Sequence, residues 1–124
     1  MLPAFVVPET VARQDGAGAE VVLGTTTTPV RFTLGITQSL AQESLDVSIW
    51  GSSDRRQWTE LASFPQKFYC GTYSMVLDLE RHPSVRYVRA QWKMGLWGNR
   101  PEAPLFGFYV RADEGRLHQY AGAA

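Results

Sequence analysis

The sequence has few of the residues that catalysis, redox chemistry or metal binding require. Cys70 is the only cysteine, so no internal disulfide can form. The two histidines, His82 and His118, stand in no spacing that indicates a metal site. Lysine plus arginine and aspartate plus glutamate number twelve each, so no net charge attracts nucleic acid or an anionic membrane. We expect no metal, no cofactor and no nucleic-acid or membrane partner.

Long apolar runs are missing as well. No segment approaches the roughly 20 apolar residues that span a bilayer. Residues 1–8 lack the basic region and the long apolar stretch of a signal peptide. The single cysteine fits a reducing compartment. We expect a protein that is made in the cytoplasm and is found there or in a virion or another assembled particle.

Catalysis is not indicated by the side chains that remain. Cys70 follows Phe68 and Tyr69 in a segment with the pattern of a strand, where an inert, buried thiol is common. Its pairing with a histidine for nucleophilic attack is the alternative. The carboxylates fall in turns and on polar strand faces, and no glycine-rich loop precedes a helix. We therefore predict no catalytic residue and no enzyme activity.

Apolar and polar residues alternate along many short segments, which predicts an all-β protein. In residues 30–37 every second side chain is apolar, which is typical of a half-buried strand. Residues 45–61 alternate, break at a polar turn and resume, as a β-hairpin does. Further strands are predicted over 5–7, 10–13, 20–23, 68–79 (with a bulge at Gly71), 85–93 and 105–110. About eight strands with regular turns indicate a single-domain antiparallel β-sandwich of the jelly-roll type.

The segments between these strands have their own patterns. Residues 5–7 lie between prolines and suit an edge strand or an arm, and Asp15-Gly16 is a turn signal. Residues 37–44 are expected to be a polar connection and not a helix. The whole chain, 1–124, is predicted to be one domain with its core in residues 10–112 and a flexible tail over 113–124.

Aromatic residues exceed what one core of this size needs, with four tryptophans, five tyrosines and six phenylalanines. We expect Trp58 and Trp92 to belong to the core. A long irregular segment, 93–104, carries apolar side chains that either cap an open end of the sandwich or contact a second subunit, a partner protein or a sugar ring. The candidate partner- or glycan-binding residues are Trp50, Tyr69, Met94, Leu96, Trp97 and Arg100.

Several short stretches resemble a known class of proteins. The stretches Leu45-Asp46-Val47, Ser53-Asp54, Trp58 and Tyr87-Val88-Arg89-Ala90 look like small β-sandwich proteins encoded in phage and prophage structural regions. The same order is similar to discoidin-like jelly rolls. The matches cover about residues 30–110, Arg55 stands where that pattern has a turn glycine, and no ligand-binding residue carries over.

The resemblance implies a non-catalytic structural or binding module. We expect a structural or assembly protein that acts through protein–protein contacts, with itself as a homo-oligomer or with other structural proteins. The alternative is a glycan-binding module whose exposed tryptophan and tyrosine rings stack on sugars.

Overall fold

Nine strands form two antiparallel sheets in the computed structural model, which describes residues 2–24, 29–97 and 103–115. The strands are β1 (Ala4–Ala12), β2 (Gly16–Ala17), β3 (Val21–Val22), β4 (Val30–Ser39), β5 (Glu43–Ser52), β6 (Thr59–Ser63), β7 (Gly71–Leu77), β8 (Tyr87–Leu96) and β9 (Phe106–Glu114). A 3-10 helix, Leu79–Arg81, lies between β7 and β8. Within the described ranges, no helix is long and apolar enough to cross a membrane.

The two sheets divide the strands between them. The first sheet has the order β1-β9-β4-β7. In the second, β8 pairs with β5 on one side and with both β2 and β3 on the other, and β6 follows β5. Because each sheet is antiparallel and has one apolar face, the two faces bury each other. The predicted all-β sandwich is confirmed, and its jelly-roll topology stays a prediction.

Strand alternation places the core between the sheets. The apolar face of β4 is fully buried, as the pattern of residues 30–37 predicts. The other buried side chains come from β5 and β8 in the facing sheet and from β9, which lies beside β4: Leu45, Val47, Ile49, Val88, Ala90, Phe106, Phe108 and Val110. Burial stabilises each large apolar side chain by about 1.5–3 kcal/mol. Trp92 packs edge-on against Phe108, with ring centroids 5.3 Å apart, at the margin of this core.

The predicted hairpin is formed by β5 and β6, in which Ser48 pairs with Ser63 and Gly51 with Thr59. Trp58, which precedes β6, lies outside the core, so the prediction that it is a core residue is wrong. Its ring lies on the outer face of the second sheet, 4.4 Å from the Arg89 guanidinium. A tryptophan that follows a turn can thus cover a neighbouring cation on the outer face instead of packing inward.

The first strand is longer than the sequence indicates. It runs from residue 4 to 12 as one edge strand, and Val6 and Val7 are buried, so the core begins before residue 10. Pro8 does not end the strand because an edge strand has one side without a pairing partner. The turn at Asp15-Gly16 joins no hairpin, since β1 pairs with β9 whereas β2 and β3 pair with β8.

The other boundaries also shift. Residues 113 and 114 belong to β9 and not to a flexible tail, because both pair with β4. The expected connection over 37–44 is confined to 40–42, since β4 and β5 extend into it. The strand predicted over 68–79 covers only 71–77, and the bulge expected at Gly71 is absent, because β4 and β7 pair without a register shift.

Candidate functional site

Exposed apolar side chains gather at the end of the sandwich where β5 begins and β8 ends. Phe68 and Tyr69 belong to the loop between β6 and β7, Leu96 is the last residue of β8, and Trp97 follows it. Their exposed fractions are 38%, 76%, 38% and 47%. We call these four residues the end patch. Leu40, which is also exposed, lies in the β4–β5 turn at the same end.

The rings of the end patch contact one another. Phe68 lies between the other two, edge-on to Trp97 with centroids 5.7 Å apart and tilted against Tyr69 at 6.3 Å. Aromatic pairs favour these separations and angles, and each pair contributes about 0.5–1.5 kcal/mol beyond the area it buries. The three rings therefore form one continuous aromatic surface.

Backbone hydrogen bonds hold both segments that carry these rings. The amide of Lys67 donates to the Leu45 carbonyl at 3.0 Å, and the Leu45 amide donates to the Lys67 carbonyl at 2.8 Å. The amide of Trp97 donates to the Gln42 carbonyl at 3.0 Å. The backbone is thus held at Trp97 and at Lys67, which directly precedes Phe68, and this lowers the entropy lost when a partner binds.

The neighbouring charges point away from the end patch or lie beneath it. The Lys67 ammonium sits 3.8 Å from the centroid of the Tyr73 ring. Glu43, whose strand partner is Leu96, is 1% exposed. The side chains of the patch offer apolar surface, the phenol hydroxyl of Tyr69 and the indole N–H of Trp97. Such a surface suits a protein contact better than a charged ligand.

The structure brings together three of the six predicted binding residues: Tyr69, Leu96 and Trp97. Met94, two residues before Leu96 on β8, is half-buried and packs against the core. Arg100 lies outside the described residues. Phe68 was not among the predicted residues, because alternation in the strand predicted over 68–79 favours an inward ring at 68 when Tyr69 points outward. Pro65 and Gly71, which bracket it, were the available signal for a loop.

Trp50 lies elsewhere, on the outer face of the second sheet. It pairs with Arg89, seven residues along β5 from the Glu43–Leu96 pair, a distance of roughly 23 Å in an extended strand. Its indole N–H donates to the Ser48 hydroxyl at 2.8 Å. Trp50 lines a groove of about 420 Å³ together with polar and charged side chains, among them Asp46, Ser48, Glu60, Gln91 and Lys93.

A second groove, of about 430 Å³, crosses the outer face of the first sheet. Phe5 and Tyr109 form its aromatic wall, edge-on with centroids 6.1 Å apart. Arg31 and Arg111 also line it, and Arg111 pairs with Asp113 at 3.2 Å. None of these residues was predicted to bind a partner, because each alone has the pattern of a solvated strand face.

Cys70 is exposed and not buried as predicted, because it lies in the loop before β7. Its Sγ is 3.7 Å from the Ser39 hydroxyl. His82 caps the C-terminal end of the 3-10 helix, and His118 lies outside the described residues. In the part of the chain that the structure describes, no three His, Cys, Asp or Glu residues form a group that could hold a metal ion.

No protein-family model matches the chain, and no curated protein matches it. Among solved structures, the chain is similar to the crystal structure of SPBc2 prophage-derived protein YomS. The TM-score is 0.51 at 10% sequence identity, over 91% of this chain and 96% of that chain. At this identity the similarity shows a shared fold, in line with the resemblance to β-proteins of prophages. The discoidin-like relationship stays a prediction.

Proposed function

We propose that this chain is a non-catalytic assembly protein of a phage-like particle and that it binds another structural protein through the end patch. The end patch carries the proposal, because it exposes three contacting rings on a backbone fixed by hydrogen bonds. Tryptophan and tyrosine dominate the energetics of many interfaces. The shared fold with a prophage-derived protein supports a role in such a particle. We propose that the chain joins the particle after its synthesis in the cytoplasm.

Co-expression with the products of the genes that flank its own tests this proposal. We expect the chain to elute with one of them in size-exclusion chromatography and Trp97→Ala to weaken that complex by at least about tenfold, the typical cost of a hot-spot residue. Phe5→Ala is the matched control, because Phe5 is exposed to a similar degree but lies on the first sheet's outer face. Equal binding of all three proteins would contradict the proposal.

A glycan-binding module is the second candidate, favoured by the groove at Trp50. The groove is lined by one indole together with carboxylates, an amide and an ammonium. An indole can stack on the face of a sugar ring, and the polar groups can form hydrogen bonds with sugar hydroxyls. Because Trp50 and Trp97 are far apart, only the former serves this groove. On a glycan array, Trp50→Ala would abolish binding and Trp97→Ala would not. Absence of binding by the unaltered protein would exclude this candidate.

A further inference from the structure

The edges of the two sheets are protected unequally against pairing with another strand. On β1, Pro8 lacks an N–H and two register shifts distort the pairing with β9. On β6, a register shift opposite β5 and the charged Glu60 interrupt a strand of five residues. The strands β2 and β3 have two residues each. Short edges, prolines, bulges and charges are the devices by which proteins prevent edge-to-edge association.

The remaining edge, β7, has none of these devices. Its seven residues, Gly71–Leu77, include no charge and no proline. All seven pair with β4 without a register shift, so the strand is regular along its length. In the described ranges, β4 is its only strand partner, which leaves its other side available. A regular, uncharged edge of this length is a template for a further strand.

The side chains of β7 match a second copy of themselves. If two β7 strands run antiparallel with Ser74 facing Ser74, Thr72 lies opposite Val76 and Tyr73 opposite Met75. The first pair joins two β-branched residues on the exposed face. The second joins an aromatic ring and a thioether on the inner face, where both side chains are only half-buried against the core. Both combinations are favourable cross-strand neighbours.

We propose that two copies of this chain associate through their β7 strands, with Ser74 on the twofold axis. The two four-stranded sheets then form one sheet of eight strands, and a twofold axis makes the contact closed and self-limiting. A second copy fits this edge better than a charged partner does, because the strand itself carries no charge and the nearby Lys67 ammonium lies on the Tyr73 ring. The proposal adds a self-contact to the assembly role proposed above, on a surface separate from the end patch.

Light scattering tests the association and its location. We expect a concentration-dependent dimer, and we expect Ser74→Lys, which sets two ammonium groups opposite each other, to raise its dissociation constant at least about tenfold. Thr59→Lys on β6 is the matched control, since Thr59 is also an exposed hydroxyl residue on an edge strand. A monomer at all concentrations, or a dimer that Ser74→Lys does not weaken, would overturn the proposal.

Disulfide trapping tests the register independently. In a Cys70→Ser background, Ser74→Cys is expected to form a covalent dimer under mild oxidation, because facing residues of antiparallel strands have Cα atoms about 4.5–5.5 Å apart. Thr72→Cys is the control, since its two copies would lie roughly 13 Å apart. Cross-linking through residue 72 and not 74 would overturn the register.

The two proposals fail separately. Loss of dimerisation with retained binding to a structural protein would overturn the β7 contact alone. A dimer that Trp97→Ala dissociates and Ser74→Lys leaves intact would also overturn the β7 contact, and it would place self-association at the end patch. A β7 dimer that binds no structural protein would support the present proposal and contradict the proposed end-patch interaction.

Discussion

The carboxylate of Glu43 accepts a hydrogen bond from the backbone amide of Leu105, with 2.9 Å between Oε1 and nitrogen. Its other oxygen accepts from the amide of Leu40 at 2.8 Å. Through these two hydrogen bonds, the buried Glu43 joins the β4–β5 turn to the segment that enters β9. It lies beneath the strand end that carries Leu96, its pairing partner. This contact fixes the end of the sandwich on which the end patch lies.

We expect Glu43→Ala to lower the free energy of unfolding by about 3 kcal/mol, because two backbone amides lose a charged acceptor. Glu43→Gln retains one acceptor oxygen and is expected to lose about half as much. Urea unfolding measures both. Glu60→Gln, on the exposed face of β6, is the control and should leave the midpoint unchanged. An unchanged midpoint in Glu43→Ala would show that these hydrogen bonds contribute little.

The sequence predicted those strands in which apolar and polar residues alternate strictly. In β4, Phe32 and Leu34 lie in the core because period-two burial is a local property of an extended chain. The extent of β1 was missed, since Pro8 is tolerated only on an edge, and edge position depends on the order of the strands. The outward position of Trp58 likewise depends on Arg89, which reaches it from another strand.

The candidate site was predictable in composition and not in arrangement. Exposure of Tyr69 and Trp97 followed from their irregular or ambiguous surroundings. Their shared contact with Phe68 could not be predicted, because the β6–β7 loop reaches Trp97 only through the bridge between Lys67 and Leu45. Trp50, in contrast, belongs to β5, which places it on a sheet face among polar and charged side chains.

Gly35 and Tyr109 are paired residues on β4 and β9, and the Tyr109 ring occupies the space that a β-carbon at position 35 would fill. We expect Gly35→Ala to displace this ring from Phe5 and to cost about 1 kcal/mol of stability, at the lower end for overpacking because the ring can move. In a Tyr109→Ala background the same change should be neutral or stabilising, since alanine suits a strand better than glycine does. Equal costs in both backgrounds, measured by a double-mutant cycle, would disprove the steric origin.

Arg55 has a backbone φ of 68°, in the left-handed region that glycine adopts without strain. Its guanidinium lies 4.5 Å from the Tyr87 ring centroid and 3.6 Å from a Glu20 oxygen. Arg55→Gly loses these contacts and relieves the backbone, so we expect stability near that of the unaltered protein. Arg55→Ala loses the contacts and keeps the strain, so it should be about 1 kcal/mol less stable than Arg55→Gly in thermal unfolding. Equal stability of the two variants would show that the backbone is not strained.

The β5–β6 turn predicts a specific dependence of stability on pH. The Gln57 amide, the Arg56 amide and the Ser52 hydroxyl, in that order, hold the pKa of Asp54 below its ordinary value of 3.8. Because the folded-state pKa is the lower one, ionised Asp54 stabilises the fold fully above pH 3.8, and this contribution is lost as the pH falls through the folded-state pKa. Asp54→Asn should therefore lower the melting temperature at neutral pH and make it fall less steeply in acid.

Thermal unfolding between about pH 6 and pH 2 measures this difference, and an NMR titration of the Asp54 carboxyl gives the pKa directly. Ser52→Ala removes one of the three donors to the carboxylate and is expected to move the pKa of Asp54 part of the way back to 3.8. A titration midpoint at or above 3.8 in the unaltered protein would contradict the stabilising role of the ionised carboxylate. Melting temperatures that fall equally with pH in Asp54→Asn and in the unaltered chain would contradict it as well, because the charge on Asp54 would then not affect the stability of the fold.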